Sequence, residues 1–417
     1  MTLQAAIEPL NAATISRLAE DRAEPEWLGD LRRSWWERAE VACWPTGAEE
    51  EWRRTSLAEM PRDGALLTDP PAVEYALDPA TAKAGVIFTD LGTAVREHPE
   101  LVRANLGKRE TLPVQAGIWA RSLAGWTGGS FVYVPVGVAV DEVLTIRSEL
   151  PAGGHSYLPH TLIVAERGAS LTVLEEFSSP DDGASWYGGT TEVIAGEGSN
   201  VRYASLQRLG NAVWRIGAQR VEVGRDATVT TLDAEIGSAV TKVGLDVQMT
   251  GIGGTSRLLG LLAAGEAQHI DINSLQDLAA SHTTSDLLYM SALYDESRAA
   301  FYGVTKVRPE AKGTSSYQEC RNLLLSPKAG AEPIPVLEIE TNDILRCGHG
   351  ATAGAIDPVQ RFYAMSRGLT DGEAERMIVR GFFEQVLAQF HSEAVRARVI
   401  GALAPRIGVD PFAVGAA

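Results

Sequence analysis

Short runs of alternating apolar and polar residues, separated by turns, fill the middle of the chain. From Gly128 onward an alternating run, a turn with glycine or an acidic residue and a second alternating run follow one another repeatedly. The turns fall at residues 137, 168, 198, 226, 254, 310 and 342, so the intervals are 31, 30, 28, 28, 56 and 32 residues. The interval of 56 is two periods of 28, with one weaker copy inside it. Strand-turn-strand units at a near-constant interval are typical of a solenoid, so the pattern predicts a right-handed parallel β-helix.

Helical periodicity replaces this repeat on both sides. Behind Pro25, which suits a first helical position, apolar residues recur at helical spacing from Trp27 to Ala39. Towards the other end, Thr370 and Glu373 have the form of a capping box. The apolar residues that follow them form one stripe of an amphipathic helix: Ala374, Met377, Ile378, Gly381, Phe382, Val386 and Phe390.

These patterns divide the chain into four regions. We predict a helical region at residues 1–80, a mixed connecting region at 81–127, a mainly β core at 128–355 and a helical region at 356–417. Because a β-helix has unpaired strands at both ends, we expect the two helical regions to cover those ends. A large β-sandwich is the ordinary alternative, but its strands need not repeat at one interval.

Composition and charge narrow the class of protein. The hydrophobic fraction of 45% and the charged fraction of 22% are those of a soluble globular protein. A net charge of -17 argues against a nucleic-acid surface, which needs a basic footprint. The sequence has no apolar run long enough to span a membrane, and its first residues have neither a basic stretch nor a long apolar run, so we expect no secretion signal. Three widely separated cysteines give no disulfide framework, and we expect a cytoplasmic protein.

The stretch Arg346–Thr352 carries the side chains best suited to bind a metal. Cys347 and His349 are two residues apart, so in a strand both side chains leave the same face. Thiolate and imidazole are ligands that iron and zinc sites use. The same alternation that puts Leu337 and Ile339 inward also puts Leu345 and Cys347 inward, so a plain core role for the cysteine stays open.

Two enzymatic alternatives rest on weaker patterns. Gly251–Ser256 follows an apolar run and Asp271 lies 20 residues beyond Gly251, which partly fits a dinucleotide-binding site. Ser256 replaces the third glycine, however, and no alternation of strands and helices surrounds the segment. Paired carboxylates such as Asp233 and Asp246 would suit a β-helix carbohydrate-active enzyme, but nothing in the sequence brings them together.

Several motifs, taken together, carry a family resemblance. They are Glu51-Trp52-Arg53 with Thr55 and Leu57, Ser285–Leu288, Arg321–Ser326, Pro335–Ile339, Arg346–Thr352, Ile356-Asp357, Arg361–Tyr363, Ser366–Gly368, Ala374 and Gly381-Phe382. With these motifs the chain resembles the SufB/SufD family of the SUF iron–sulfur cluster assembly system over nearly its whole length. The resemblance implies a parallel β-helix flanked by helical domains.

Within that family the chain is more similar to SufD members than to SufB members. SufB-like chains carry a cysteine after the strand that reads Leu174–Phe177 here, and Glu-His-Glu where this chain has Gly348-His349-Gly350. Cys320 is a departure, because SufD-like chains usually have another residue there. Neutral packing is one interpretation of Cys320, and an added metal ligand is the other.

The resemblance implies a scaffold rather than an enzyme. A transient iron–sulfur cluster or iron would be shared with SufB across a subunit interface, with His349 as the first candidate ligand, Cys347 as the second and Cys320 as a possible third. The amphipathic stripe with Met377, Ile378, Phe382 and Val386 would bind the SufC ATPase. The chain has no Gly-x-x-x-x-Gly-Lys-Ser/Thr loop, so we expect no nucleotide on it. The resemblance also associates a reduced flavin with the complex. The sequence leaves open whether that flavin contacts this chain and whether the chain alone forms a homodimer.

Overall fold

The computed structural model describes residues 9–108, 116–181 and 183–407, so predictions for the first eight and last ten residues lie outside the described part. Most of the described residues between 130 and 354 form strands. The strands are β1 Ala65–Leu66, β2 Ile87–Asp90, β3 Ser130–Val134, β4 Ala139–Glu149, β5 His155–Tyr157, β6 His160–Ala165, β7 Ser170–Ser178, β8 Ser185–Tyr187, β9 Thr190–Ala195, β10 Asn200–Arg208, β11 Val213–Val223, β12 Thr228–Glu235, β13 Val240–Met249, β14 Thr255–Ala264, β15 His269–Leu278, β16 Thr284–Leu293, β17 Arg298–Val307, β18 Thr314–Leu324, β19 Gly330–Ile339 and β20 Ile344–Gly354.

Helices flank these strands on both sides in sequence. They are α1 Ala12–Asp21, α2 Glu26–Ala42, α3 Pro79–Lys83, α4 Leu91–Glu97, α5 Pro99–Asn105, α6 Ala116–Gly125, α7 Pro358–Ser366, α8 Asp371–Leu387 and α9 Glu393–Ile407, with a 3₁₀ turn at Glu50–Trp52. Thr370 caps α8, and the predicted capping box with Glu373 is present. No helix among the described residues is long and apolar enough to span a membrane.

The strands form two parallel sheets that face each other, as the repeat predicts. The first sheet runs β19-β17-β15-β13-β11-β9-β6-β3-β2, and the second runs β20-β18-β16-β14-β12-β10-β7-β4. From β9 to β20 successive strands alternate between the sheets, so one strand from each sheet and the turn between them make one rung of a solenoid. The short strands β1, β5 and β8 join the first sheet at its side. The predicted parallel β-helix is therefore confirmed.

The turns on one side of the solenoid stack on one another. The amide of Gly198 donates to the Arg225 carbonyl, and the amide of Asp226 donates to the Ile252 carbonyl. Gly198, Asp226 and His282 all have left-handed backbone angles, with φ of 65°, 52° and 58°. Glycine and aspartate tolerate this conformation well, which explains their recurrence in the repeat. His282 lies in the turn between β15 and β16 and marks the weaker copy inside the interval of 56 residues.

Residues on both sides of the predicted boundary at residue 80 cover the first end of the solenoid. Val86 and Phe88 are buried in the core between the sheets, and Tyr75 packs against that core. Strand β2 also pairs with β3, antiparallel to it. Helix α6 packs on the outer face of the first sheet, against β9 and β11.

The C-terminal helices do not cover the second end, and this part of the prediction is wrong. Instead α8 packs on the outer face of the second sheet, where Phe383 and Val386 join a core with Leu259 and Leu261. Arg398 of α9 makes a two-bond ion pair with the Glu176 carboxylate of β7, at 2.6 Å for each bond. Apolar burial and this ion pair hold the helices to the side of the solenoid.

The last rung, formed by β19 and β20, is consequently uncovered; we name it the open end. Every described residue from Gly330 to Gly354 is half-buried or exposed, whereas the preceding strands are largely buried. The sheets also stop here, because β19 and β20 each have a strand neighbour on one side only. The molecule therefore presents two strand edges and the mouth of its core at one place.

Candidate functional site

Cys347 and His349 both lie on β20 at the open end. In the register of the second sheet Cys347 is paired with Ser316 and His349 with Gln318, and both of those β18 residues are buried inside the solenoid. Parallel pairing keeps the faces of adjacent strands aligned, so the thiol and the imidazole are on the face that looks into the mouth of the core. His349 is exposed and Cys347 is half-buried. The predicted shared face of the two side chains is confirmed.

One detail of the predicted alternation is wrong. The register between β18 and β20 shifts after Thr314, which pairs with Ile344, while Ser315 pairs with Arg346. Leu345 is the extra residue of this bulge and is 78% exposed. A bulge reverses the alternation along the strand, so Leu345 points away from the core although Cys347 points towards it. An unbroken period of two could not predict this reversal.

The Cys347 thiol is protected from ionisation. Its side chain packs against the core between the sheets, and burial raises the pKa of the thiol. Thiolate is the form that binds metals, so a metal at this position must displace the thiol proton. A neutral imidazole already has a lone pair on one ring nitrogen and can bind a metal through it without first losing a proton.

Cys320 is not brought to the same place. It lies on β18, one rung below the open end and paired with Ala351, and it is 7% exposed. Burial raises the pKa of the Cys320 thiol to about 12, against a weaker lowering effect of the Asn322 amide, whose nitrogen is 3.7 Å from the sulfur. The environment favours neutral packing over a metal-ligand role.

The free edge of β20 offers an unbroken set of backbone hydrogen-bonding groups. The amides of Ser315 and Leu325 donate hydrogen bonds to β16 and to the residue just before it. The backbone N–H and C=O groups of the odd-numbered β18 residues therefore point towards β16, and those of the even-numbered residues point towards β20. The register then leaves the amide and carbonyl groups of four β20 residues facing away from β18: Cys347, His349, Ala351 and Ala353. None of them is proline, so this edge can accept a further strand.

The free edge of β19 is interrupted. The amides of Gly330 and Glu340 donate to Ser297 and Val307 on the β17 side, so the odd-numbered residues between them face outward. Two of these outward positions are Pro333 and Pro335, which have no N–H group. Prolines at an edge oppose strand addition. The two edges of the open end are therefore unequal.

The predicted docking stripe on α8 is only partly accessible. Met377 is 51% exposed, Ile378 and Phe382 are half-buried, and Val386 is fully buried against the second sheet. Val386 can therefore not contact a partner on this surface. The neighbouring helix α7, for which the sequence predicted no docking role, exposes more apolar surface: Val359 at 70%, Phe362 at 72%, Tyr363 at 59% and Met365 at 42%.

The structure argues against both enzymatic alternatives. Gly251–Ser256 forms the turn from β13 into β14, so a strand rather than a helix follows the glycines and no helix N-terminus is available for a pyrophosphate. Asp233 lies inside the solenoid and accepts hydrogen bonds from Ser205 and Tyr289. Asp246 lies on the first sheet and pairs with Arg220 at 3.2 Å. The two carboxylates belong to different networks.

Within the described residues no three His, Cys, Asp or Glu side chains lie close enough together to hold a metal ion. The open end therefore presents a free strand edge together with a thiol and an imidazole at the mouth of the core. Comparison with known proteins shows the family. Residues 148–382 match the family model of the SUF system for FeS cluster assembly, the SufBD core domain. The chain belongs to the SufBD family of iron–sulfur cluster assembly proteins.

Relatives in three bacteria have similar sequences. The chain is 30% identical over 301 residues to the iron–sulfur cluster assembly protein SufB of Bacillus subtilis. The aligned region covers 72% of this chain and 64% of that protein. A SufBD family protein of Staphylococcus epidermidis is 30% identical over 302 residues, with the same coverage. A SufBD family protein of Mycobacterium leprae is 31% identical over 316 residues, or 75% of this chain and 36% of that protein. The chain thus spans less than two thirds of the length of these relatives.

Proposed function

We propose that this chain is a SufD-type scaffold subunit, without catalytic activity of its own, that pairs with a SufB chain through its open end. There it would supply His349, supported by Cys347, to iron or to a nascent iron–sulfur cluster held between the two subunits. Gly348 and Gly350 beside the histidine, and the absence of a cysteine after Leu174–Phe177, favour SufD over the alternative of a SufB-like scaffold.

The observation that carries the proposal is the free edge of β20. It is one edge of a sheet in which each strand from β7 to β18 is paired on both sides, and its unpaired amides and carbonyls include those of Cys347 and His349. Adding a strand there would satisfy these groups and bring the partner's side chains to the mouth of the core. Two donors fill half of the positions of a four-coordinate iron, so a second chain is needed to complete the set.

A proline scan of the two edges tests the pairing. Ala351→Pro removes an outward amide from the β20 edge and leaves the hydrogen bonds to β18 in place, so it should abolish co-purification of a co-expressed SufB chain. Ala331→Pro makes the same change on the already interrupted β19 edge and is the matched control, which should retain SufB. If the Ala351→Pro chain has an unchanged melting temperature and still retrieves SufB, β20 is not the pairing strand.

The role of His349 is tested in the co-expressed complex. His349→Ala should abolish the visible absorbance of the cluster without lowering the melting temperature, because the exposed ring supports no packing. Cys347→Ala should retain the cluster at a cost of about 1–2 kcal/mol in the free energy of unfolding, since the side chain is only partly buried. Full cluster content in the His349→Ala complex contradicts the ligand role. Loss of cluster with an unchanged melting temperature in Cys347→Ala would transfer that role to the thiol.

For the SufC ATPase we propose the apolar surface of α7 together with the exposed side of α8. Phe362 and Met377 are 72% and 51% exposed, and clustered exposed apolar side chains commonly mark an interaction site. Phe362→Asp should therefore abolish SufC co-purification and leave SufB binding intact. Val41, which is 85% exposed on α2, provides a matched apolar-to-acid control, Val41→Asp, that should retain both partners. If the Phe362→Asp chain still retains SufC, the docking surface for SufC lies elsewhere.

A further inference from the structure

A cavity of about 210 Å³ lies where the turn between α1 and α2 meets the segment that leads into β3; we name it the arginine cavity. The polar side chains in its wall are Arg22 and Glu24 of that turn, Asp90 and Arg96 from the cap and the last turn of α4, and Thr127 just before β3. A water molecule takes up about 30 Å³ in the liquid, so the cavity has room for a small ligand of about seven such volumes. The open end is formed by the last two strands of the solenoid, so the arginine cavity is a separate feature.

The Arg22 guanidinium is held in the wall by backbone carbonyls. Its Nη2 atom donates to the Thr68 carbonyl at 2.9 Å and to the Thr127 carbonyl at 2.5 Å. Among the described residues Arg22 makes no ion pair, and its Nε and Nη1 atoms make no hydrogen bond. A guanidinium has five N–H groups, so three of them remain for a ligand on this half-buried cation.

Thr127 brings a hydroxyl group to the same wall. The residue is 1% exposed, and its Oγ1 atom has no hydrogen-bond partner within the described part of the chain. A buried hydroxyl without a partner is costly, and a ligand that accepts its proton would remove that cost. Because Arg22 binds the carbonyl of this same residue, the unpartnered hydroxyl and the unpartnered N–H groups belong to two residues in direct contact.

The two carboxylates of the arginine cavity are already engaged. Both Glu24 oxygens accept hydrogen bonds from the buried Arg32 guanidinium at 2.7 Å, and Asp90 Oδ1 accepts from the Thr93 amide at 2.9 Å. Burial, and after it the positive charge of Arg32, lowers the pKa of Arg22 in spite of these carboxylates. The Arg22 charge is therefore incompletely compensated, and an anion in the cavity would compensate it.

Two further features give the cavity a positive character. The exposed Arg96 side chain lines it and is bonded there to the Thr93 hydroxyl by its Nη2 atom only, at 3.0 Å. Helix α2 also begins at the cavity, because Pro25 and Leu28 of its first turn line the wall, and no side chain caps this helix. The N-terminal end of a helix has a partial positive charge. A cation, a second cation and a helix end thus surround one small space.

We propose that the arginine cavity binds a phosphate group, either as inorganic phosphate or as part of a small phosphate ester. Arg22 binds it through the planar fork of its guanidinium, which matches the oxygens of phosphate, and Thr127 donates its hydroxyl proton. A carboxylate has only two oxygens, whereas phosphate has enough to accept from Arg22, Thr127 and Arg96 together. The bound group links the turn between α1 and α2 to the entry of β3. This proposal is independent of the role of the open end.

Calorimetric titration of the full-length chain with inorganic phosphate tests the proposal, in a buffer free of phosphate and sulfate and at constant ionic strength. The wild-type chain should bind phosphate saturably, and its melting temperature should rise with phosphate concentration. Arg22→Gln should weaken binding about 10–100-fold, because it removes hydrogen bonds from a charged donor. The absence of saturable binding to the wild-type chain would overturn the proposal.

Thr127→Val separates phosphate binding from a structural role. It removes only the hydroxyl and keeps the backbone carbonyl that Arg22 binds, so it also guards against an Arg22→Gln chain that fails to fold. Without phosphate its melting temperature should equal or exceed that of the wild type, because the hydroxyl has no partner to lose. Phosphate binding should weaken about two- to tenfold, the usual range for one neutral hydrogen bond. Unchanged binding in Thr127→Val and in folded Arg22→Gln would contradict the assigned site.

Arg103→Gln is the matched control, because it removes the same charge from the exposed surface of α5 outside the cavity. It should bind phosphate as the wild type does, and an equal loss in Arg103→Gln and Arg22→Gln would overturn the proposal in favour of non-specific attraction. Parallel titrations with glycerol 3-phosphate and acetate identify the ligand. The tighter binder of glycerol 3-phosphate and inorganic phosphate is the form that the cavity accepts, whereas acetate binding as tightly as both would refute the choice of phosphate.

Discussion

Replacing Phe383 by alanine tests which side of α8 is buried against the solenoid. Phe383 is 1% exposed and lies in the core that α8 shares with the outer face of the second sheet. Removing a fully buried phenylalanine ring costs about 3–5 kcal/mol, which includes the cavity it leaves. Against a typical total stability of about 5–15 kcal/mol, this change should detach α8 well before the solenoid unfolds.

Met377 is the matched position on the opposite side of the same helix. It is 51% exposed, so Met377→Ala should change the free energy of unfolding by no more than about 0.5 kcal/mol. The suitable assay is hydrogen exchange of the α8 amides together with urea unfolding followed by far-UV circular dichroism. Tryptophan fluorescence would miss the event, because all nine tryptophans lie between residues 27 and 214. Equal effects of the two substitutions, or a loss below about 1 kcal/mol for Phe383→Ala, would refute the packing of α8 described above.

Two further predictions concern titration and reactivity. Burial alone would raise the pKa of Glu176, but the hydrogen bonds from Arg398 and Arg147 outweigh it and hold the pKa below its usual 4.5. The resulting stabilisation is fully present above pH 4.5 and is lost as the pH falls through the lowered pKa of Glu176. Acid should therefore release α9 from the second sheet, and hydrogen exchange of the α9 amides would detect this. Arg398→Met should release α9 already at neutral pH. Cys43 is exposed, whereas Cys320 is buried and the pKa of its thiol is raised to about 12. A thiol reagent at pH 8 should therefore modify Cys43 at once and Cys320 only after unfolding. Rapid modification of Cys320 in the folded chain would contradict its burial.

The solenoid could be predicted from the sequence because its physical cause is local and repeated. Each rung needs a strand that alternates and a turn that accepts left-handed angles, and these needs recur at intervals set by the rung length. Even the weak copy obeys the interval, although His282 occupies a turn position that glycine or aspartate fills elsewhere. The residue bounds of the four predicted regions remain a prediction.

The packing of the C-terminal helices could not be predicted in the same way. An amphipathic stripe shows that α8 buries one side, but it does not show which surface lies opposite. The stripe also misses part of the contact, since Val379 and Phe383 are buried while Met377, which belongs to the predicted stripe, is exposed. The matching apolar surface is the outer face of the second sheet, where Leu259 and Leu261 alternate with the residues of the inner core.

The candidate site could be predicted only in part from the sequence, for a related reason. Cys347 and His349 stand out because few other side chains bind metals. The outward-facing backbone groups of the β20 edge have no such mark, because which of them face outward depends on the register between β18 and β20. A bulge such as the one at Leu345 prevents the deduction of that register from spacing alone.

The uncovered end links these results physically. A solenoid whose last strands were covered by its own helices would bury His349 and satisfy the β20 edge internally, and it could then bind neither a partner strand nor a shared metal. Attaching α8 and α9 to the side of the solenoid through Phe383 and Arg398 leaves the edge free instead. The prolines at 333 and 335 then disfavour strand addition on one of the two free edges. The edge that remains suitable is β20, which carries the thiol and the imidazole, so strand pairing and ligand sharing are expected to occur together.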